Sequence, residues 1–426
     1  MLDINLIREK TKWVEEQLLK KVDKVDLDAL LKTDKDRRAL QTENDELKAQ
    51  RNAASKDIAV AKKQGKEPHR LIDEMQKLGK QITLNDRKIA ELEKNYFALL
   101  SSLPNLPDES VPVGGKEANE IVFTFGKKPE FDFTPKNHVD LCTDLGIIDY
   151  KRAAKISGAG TWIYTGIGAQ LEWALLNYFV DFHTKNNYTF ILPPHILNYQ
   201  SGFSAGQFPK FEEDVFWTDH NTKDRKANKF LLPTSETALI NLYRDEILEE
   251  KDLPQKLFCY TPCFRREMGS YGSEERGMIR GYQFNKIEMF VFCTPEDDNK
   301  FFEELTKNAQ ALVEGLGLHY QLSRLASKDC TASMAKTFDI EVYIPSMGIY
   351  KEVSSSSTAK CFQARRANIR YRDKDCKLHF VHSLNASGLA TSRIVPAIVE
   401  QFQNKDGSVN VPQILQKYLG GVKIIK

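Results

Sequence analysis

The segment from Cys263 to Phe284, CFRREMGSYGSEERGMIRGYQF, gathers arginines, carboxylates and glycines around what reads as a single turn. If it forms two strands joined by the loop MGSYGSEERGM, alternation along a strand puts Arg265 and Glu267 on one face. Arg280, Phe284 and Glu288 then share a face of the returning strand. A guanidinium grips phosphate through paired hydrogen bonds and stays charged at any working pH. A phenyl ring offers a surface on which a base can stack, and a carboxylate accepts from an exocyclic or α-amino group. A cross-strand ladder of ion pairs would account for the charges alone. It leaves Phe284 and the glycines unexplained. The chemistry on offer is a grip on a polyphosphate nucleotide by side chains of a sheet.

Three further stretches carry polar groups at useful spacing. YKEVSSSSTAK brings Glu352 and Ser355 close together, as oxygen ligands for a hard cation such as magnesium. NASGLATSR sets Arg393 at a helix start behind a glycine turn, a place suited to an anion. LLPTSETAL reads as a strand end running into a helix, with Ser235 or Thr234 as its cap. By contrast, TGIGAQL lacks the third glycine and the preceding strand of a dinucleotide fingerprint.

These residues need a scaffold. KLFCYTPCF, YQFNKIEMFVFC and TFDIEVYIP read as strands rich in aromatic and β-branched residues. LEWALLNYFVDFH is apolar nearly all round and reads as a buried helix, and TSRIVPAIVEQFQ as another. Strands without regular βαβ alternation predict an α+β fold, an antiparallel sheet flanked by helices.

The first hundred residues have a different texture. From Leu71 the apolar positions Met75, Leu78, Ile82, Ile89, Leu92, Tyr96 and Leu99 alternate steps of four and three, and Asn85 interrupts them. Upstream, Leu40, Leu47, Ala54 and Ala61 recur every seven residues, with Ile58 at the alternate step. KKQGKEP between the runs cannot continue a helix comfortably. An antiparallel two-helix coiled coil follows. From Lys48 to Lys88 it carries eleven basic residues against five acidic ones. That surplus reads either as an ordinary solvated face or as a nucleic-acid backbone contact. SSLPNLPDESVPVGGKE is a Pro, Ser and Gly-rich linker. The expected division is residues 1–103 for the helical domain, 104–118 for the linker and 119–426 for the sheet domain.

The totals set limits. A chain of 426 residues suggests two or three domains, and a net charge of only +2 means any polyanion must meet a local patch. Seven scattered cysteines read as reduced thiols. No membrane-spanning run or targeting pattern is expected, so a cytoplasmic setting is the expectation.

In this order the stretches resemble the seryl-tRNA synthetases, a family of class II aminoacyl-tRNA synthetases, essentially end to end. LPPHILN resembles the first class motif, with Pro194 in the dimer-interface strand. FRRE with GMIRGYQFNKIE resembles the second, GLATSR the third, and PTSE the serine-binding loop. The resemblance implies a homodimeric serine–tRNA ligase that uses ATP and Mg2+. Its substrates would be L-serine and tRNA(Ser), with tRNA(Sec) a further candidate, and the helical domain would hold the tRNA. Arg265 would hold the α-phosphate and the serine carboxylate, and Glu267 the adenine edge with Arg266 beside it. Arg280 and Arg393 would hold the outer phosphates, Phe284 would stack on adenine, and Gly281 would offer backbone. Glu352 and Ser355 would help hold magnesium, with Val353 and Ser354 lining the nucleotide. Thr234, Ser235 and Glu236 would meet the amino acid, and Glu288, Ser387 and Asn385 its hydroxyl. Three departures stand out: Arg266 replaces a small residue, STAKC, ending in Cys361, replaces an asparagine–cysteine stretch and an aspartate, and SKDCTASMAK replaces a more glycine-rich stretch. The rival readings are a paralogue that loads a carrier protein and a non-catalytic tRNA-binding protein.

Overall fold

The computed structural model describes residues 1–219, 225–267 and 277–426. Helices α1, Leu27–Lys63, and α2, His69–Ser102, pack along each other as the heptads predict. Asp26 starts α1 by accepting from the Ala29 amide, and Gly65 at φ +71° ends the run in a left-handed turn. The seam is thin: Ile58, Ile82 and Ile89 are buried, while Leu47, Leu78 and Leu92 are half-buried. Where Asn85 interrupts it, two buried asparagines supply a polar layer. Asn85 donates to Glu43 (3.3 Å), and Asn44 donates to Asp86 (2.7 Å), which also pairs with Lys48 (2.9 Å).

The chain divides into two compact units between Pro104 and Asn105. The second unit is built on eight strands. In chain order they are β1 Glu120–Phe125, β2 Thr189–Ile191, β3 Gln255–Phe264, β4 Gln283–Cys293, β5 Tyr320–Arg324, β6 Lys336–Ile344, β7 Ile349–Lys360 and β8 His382–Ala390. Their order across the sheet is β1-β5-β6-β7-β8-β4-β3-β2. All neighbours are antiparallel except β2, which joins the edge parallel to β3. The sheet is therefore mixed by one edge strand.

Three helices cover one face: α3 Ile167–Lys185, α4 Asp298–Gly315 and α5 Thr391–Gln401. Strand alternation explains the division. On β4, Ile287, Met289 and Val291 pack against these helices with Leu175, Phe179, Leu305 and Ile398. Phe290 and Phe292 face the other way into a smaller apolar cluster, and Lys286 and Glu288 share their side. A strand buried on both faces thus carries its charges into the interior.

Residues after Pro104 are tied onto this unit. Asn105 is buried and donates to the carbonyls of Ser333 (3.0 Å) and Ala359 (2.9 Å), and Pro112 accepts from the Ser327 amide (2.8 Å). Among the described residues, no helix is long and apolar enough to cross a membrane.

Candidate functional site: a guanidinium-lined cavity on the sheet

The site begins where β3 ends. Cys263 pairs with Phe284 and Cys259 with Glu288 across β3 and β4, and Glu288 is also opposite Ser387 on β8. Arg265 lies one residue past β3, its amide still bonded to the Tyr282 carbonyl (3.0 Å). Glu267 has already left extended backbone, at φ +48°, and Arg280 precedes β4. Alternation therefore places Phe284 and Glu288 but not the arginines. A turn brings those in from beyond the strand ends. Most of the loop MGSYGSEERGM, residues 268–276, lies outside the described residues.

A cavity of about 760 Å³ opens over this face. Arg265, Arg280 and Arg393 line it together with Glu352 and Ser355. Thr234, Glu236, Glu288, Asn385 and Ser387 line it too. A small annex next to it is walled by Glu267, Gly281, Phe284 and Val353. Three expected residues stand apart from both. Ser235 is buried, its hydroxyl 2.6 Å from that of Thr261, so it makes no side-chain cap. Thr234 is the nearer to a cap, accepting at 3.4 Å from the Glu236 amide. Ser354 is buried and donates to the Ser387 carbonyl (2.7 Å), and Arg266 reaches the Glu213 carbonyl at 3.4 Å.

The polar groups already hold one another. Arg280 pairs with Glu267 (2.8 Å), and the Arg265 guanidinium sits 5.2 Å from the centre of the Phe284 ring. Arg393 donates to the carbonyls of Ile279 (3.2 Å) and Glu352 (2.6 Å). It sits in the first turn of α5. The glycine expected to form a turn before it, Gly388, instead lies inside β8 at a bulge against buried His183. A Cβ there would fall 2.4 Å from the His183 Nε2. Gly281 is equally constrained, since a Cβ would come within 2.2 Å of the Trp162 indole.

Sequence reasoning missed Lys286, although NKIE places it on the same face as Glu288. Its ammonium donates to Thr234 (2.6 Å) and lies 2.6 Å from the Glu288 carboxylate. Burial works against that charge, but Glu288 outweighs it and holds Lys286 above its ordinary range. Asn385 donates to the other Glu288 oxygen (3.0 Å). Withdrawal from water, and then the nearby Glu288, push Glu236 up to about 7. Gln363, also missed, donates to Glu236 (2.5 Å).

On β6, Asp339 faces Ser355 on β7, and Glu341 faces Glu352. Asp339 is buried with one carboxylate oxygen lacking any hydrogen bond among the described residues. Burial, and then the Glu352 charge, raise its pKa well above the usual carboxylate range. Glu352 and Ser355 are oxygen donors of the kind a hard cation takes, but among the described residues no group of three or more His, Cys, Asp or Glu side chains is arranged to hold a metal ion.

Comparison with known proteins settles the family. The serine–tRNA ligase 2 of Clostridium acetobutylicum is 54% identical over 426 residues, all of both chains. The chain belongs to the seryl-tRNA synthetase family. Residues 1–107 match the seryl-tRNA synthetase N-terminal domain, and residues 216–402 the class II tRNA synthetase core domain (G, H, P, S and T). The seryl-tRNA synthetase of Pyrococcus horikoshii, solved in complex with ATP, superposes with a TM-score of 0.90. It is 34% identical, with 100% of this chain and 99% of that one aligned. The cytoplasmic serine–tRNA ligase of Naegleria fowleri, solved with AMP, gives 0.86 at 28% identity over the same shares. The family thus accounts for both units, the helical hairpin and the sheet with its cavity.

Proposed function

We propose the following division of labour for a chain that is, by its family, an ATP-dependent serine–tRNA ligase. ATP enters with its adenine on Phe284, its base edge read by Glu267 and the backbone of Gly281, with Val353 lining the nucleotide and Ser354 behind that wall, its hydroxyl held by the Ser387 carbonyl. Arg265 takes the α-phosphate, and Arg280 and Arg393 the outer phosphates, with Arg266 flanking. Arg280 gives up Glu267 as the nucleotide arrives, and Arg265 shares the Phe284 ring. Magnesium would be held by Glu352 and Ser355, with Asp339 behind them, and would neutralise charge on the phosphates.

Serine places its ammonium against Glu236 and Thr234, with Ser235 contributing backbone alone. Its hydroxyl meets Glu288, which Lys286 and Asn385 hold in place, with Ser387 alongside. A serine carboxylate oxygen then attacks the α-phosphorus in line, and pyrophosphate leaves. No side-chain nucleophile is needed, because positioning and fixed charge carry the step. A ribose hydroxyl at the 3′ end of tRNA(Ser) next takes the seryl group. The domain of residues 1–103 docks the tRNA, residues 104–118 connect, and residues 119–426 catalyse. Exposed Phe190, Leu192 and Ile196, flanking Pro194 between two short strands, suit burial in a homodimer. The setting is cytoplasmic.

One observation carries this reading: three guanidiniums and the buried Lys286–Glu288–Asn385 set line the same cavity. Serine-dependent ATP–pyrophosphate exchange, followed by charging of tRNA(Ser), tests it. Exchange without charging would instead favour a carrier-loading ligase, and tRNA binding without exchange a non-catalytic protein.

A further inference from the structure

Glu236 lines the cavity, and a buried side chain behind the lining holds it. Gln363 belongs to the short helix Phe362–Ala367 and is 1% exposed. Every polar atom of its amide is used. Ser383, buried on β8, donates to the amide oxygen (2.7 Å). The amide nitrogen donates to the Ala205 carbonyl (2.9 Å) and to Oε1 of Glu236 (2.5 Å). A carbonyl only accepts, so the nitrogen must face Ala205. Turning the amide over would set its oxygen against that carbonyl and the Glu236 carboxylate at once. The Ser383 hydroxyl meets the amide oxygen that this arrangement leaves. One orientation is therefore fixed, by two groups that lie outside the lining of the cavity.

An apolar side chain of similar size would fill the same space. What the amide adds is a neutral donor aimed at a carboxylate. Burial and the Glu288 charge work against ionising Glu236, and the Gln363 bond, then Lys286 and Arg265, work for it. The two cations have other duties. Lys286 is held by Glu288 and Thr234, and Arg265 takes the α-phosphate in the assignment above. A cation in the place of Gln363 would also keep Glu236 ionised, but it would repel an incoming ammonium. An amide aims the carboxylate and adds no competing charge.

We infer that Gln363, its amide fixed by Ser383 and the Ala205 carbonyl, is a positioning residue for the amino acid. It takes one Glu236 oxygen and turns the other toward the substrate's ammonium. This rests on the assignment of Glu236 to that ammonium and adds what holds the carboxylate ready. Gln363 has no part in holding the nucleotide, so its loss falls on serine and spares ATP.

The test is the pH profile of serine-dependent pyrophosphate exchange, with serine and ATP varied separately. Gln363→Met keeps the volume and removes the donor. An ionised Glu236 then loses a bond that its protonated form needs less, so the midpoint of the rise in kcat/KM for serine should move up by about one pH unit. At pH 7 the parameter should fall about fivefold, while the KM for ATP at saturating serine stays within about twofold. A midpoint that stays in place would overturn the inference. So would an equal loss toward ATP, the mark of a general lesion. Ser383→Ala guards against a Gln363 variant that does not fold. It leaves the Ala205 carbonyl alone to hold the amide, and the midpoint should move the same way, with a loss of about twofold at pH 7. An unmoved midpoint there would overturn the inference too. A rise that Glu236→Gln leaves unchanged would strike the assignment of Glu236 itself, and the role of Gln363 would fall with it.

Discussion

The helical hairpin and the catalytic sheet bury polar groups for opposite ends. In the hairpin, Asn44 and Asn85 interrupt a thin apolar seam and bond to Asp86 and Glu43 on the facing helix. Such a layer costs stability relative to leucine but fixes which turn of one helix faces which turn of the other. In the sheet, Lys286, Glu288, Glu236 and Asp339 are withdrawn from water around an open cavity, and Asp339 keeps an oxygen without a partner among the described residues. Those groups are stabilised only in part by one another, and their remaining bonding capacity faces the cavity in which the substrates are proposed to bind. Polar burial therefore sets register in one region and recognition in the other.

The sharpest way to break the comparison is to remove one region. Excising Ala29 to Leu99 should leave serine-dependent pyrophosphate exchange intact, because the main apolar cluster of the sheet contains no hairpin residue. Charging of tRNA(Ser) should be lost. If exchange disappeared in a variant shown to be folded, the hairpin would belong to the active site. Next in size is the choice of amino acid. Alanine would leave Glu288 and Ser387 without the hydroxyl they are proposed to read, so exchange with alanine should run about four decades below serine. Comparable rates would remove both residues as hydroxyl readers.

Arg265→Ala should lower exchange by about two to three decades, by analogy with the loss of an oxyanion donor. A fall of less than about threefold would deny the residue its role. A smaller effect comes from Glu236. With its pKa pushed up to about 7 in the free enzyme, the carboxyl is neutral in acid and ionised in base. Only the anion pairs with serine's ammonium, so kcat/KM for serine should rise about tenfold from about pH 6 to 7.5. Glu236→Gln should flatten that rise, and an unchanged profile would place the titration elsewhere. The least effect belongs to the hairpin tip. Replacing Lys62, Lys63, Lys66 and Arg70 with glutamine should reduce the salt slope of tRNA binding by nearly one unit for each phosphate no longer neutralised. An unaltered slope would make the tip an ordinary solvated face.

The two regions also differ in how far their sequences can be read. The hairpin is written locally: a seven-residue repeat names its seam, and Gly65 and Pro68 mark its turn. Even there, Asn44 gave no signal, because which residues of one helix bond to Asn85 and Asp86 on the other depends on how the two helices pair. In the sheet, alternation gives Phe284 and Glu288, and would have given Lys286 had it been applied to every second residue. It cannot tell where a strand stops, so it extends β3 and β4 over Arg265, Glu267 and Arg280, which lie beyond their ends. Pro194 likewise falls between strands. Gly388 reads as a turn from its composition, yet it lies at a bulge in β8, where a side chain would meet His183, some two hundred positions away. The resemblance to a known family brought distant stretches together. Spacing alone could not, since no local pattern joins Asp339 to Ser355 or Gln363 to Glu236.

The contact between Trp162 and Gly281 makes the nucleotide site visible to light. An indole pressed against the backbone that is proposed to touch adenine should change its emission when that backbone moves or a base approaches. The chain has four tryptophans, and Trp13 lies in the N-terminal unit, so replacing Trp13, Trp173 and Trp217 with phenylalanine would leave a single indole, beside the annex, to be excited apart from the tyrosines. Mixing such a protein with ATP in a stopped-flow cell would then follow nucleotide capture as it happens, without a label, and separately from the transfer step that comes after it.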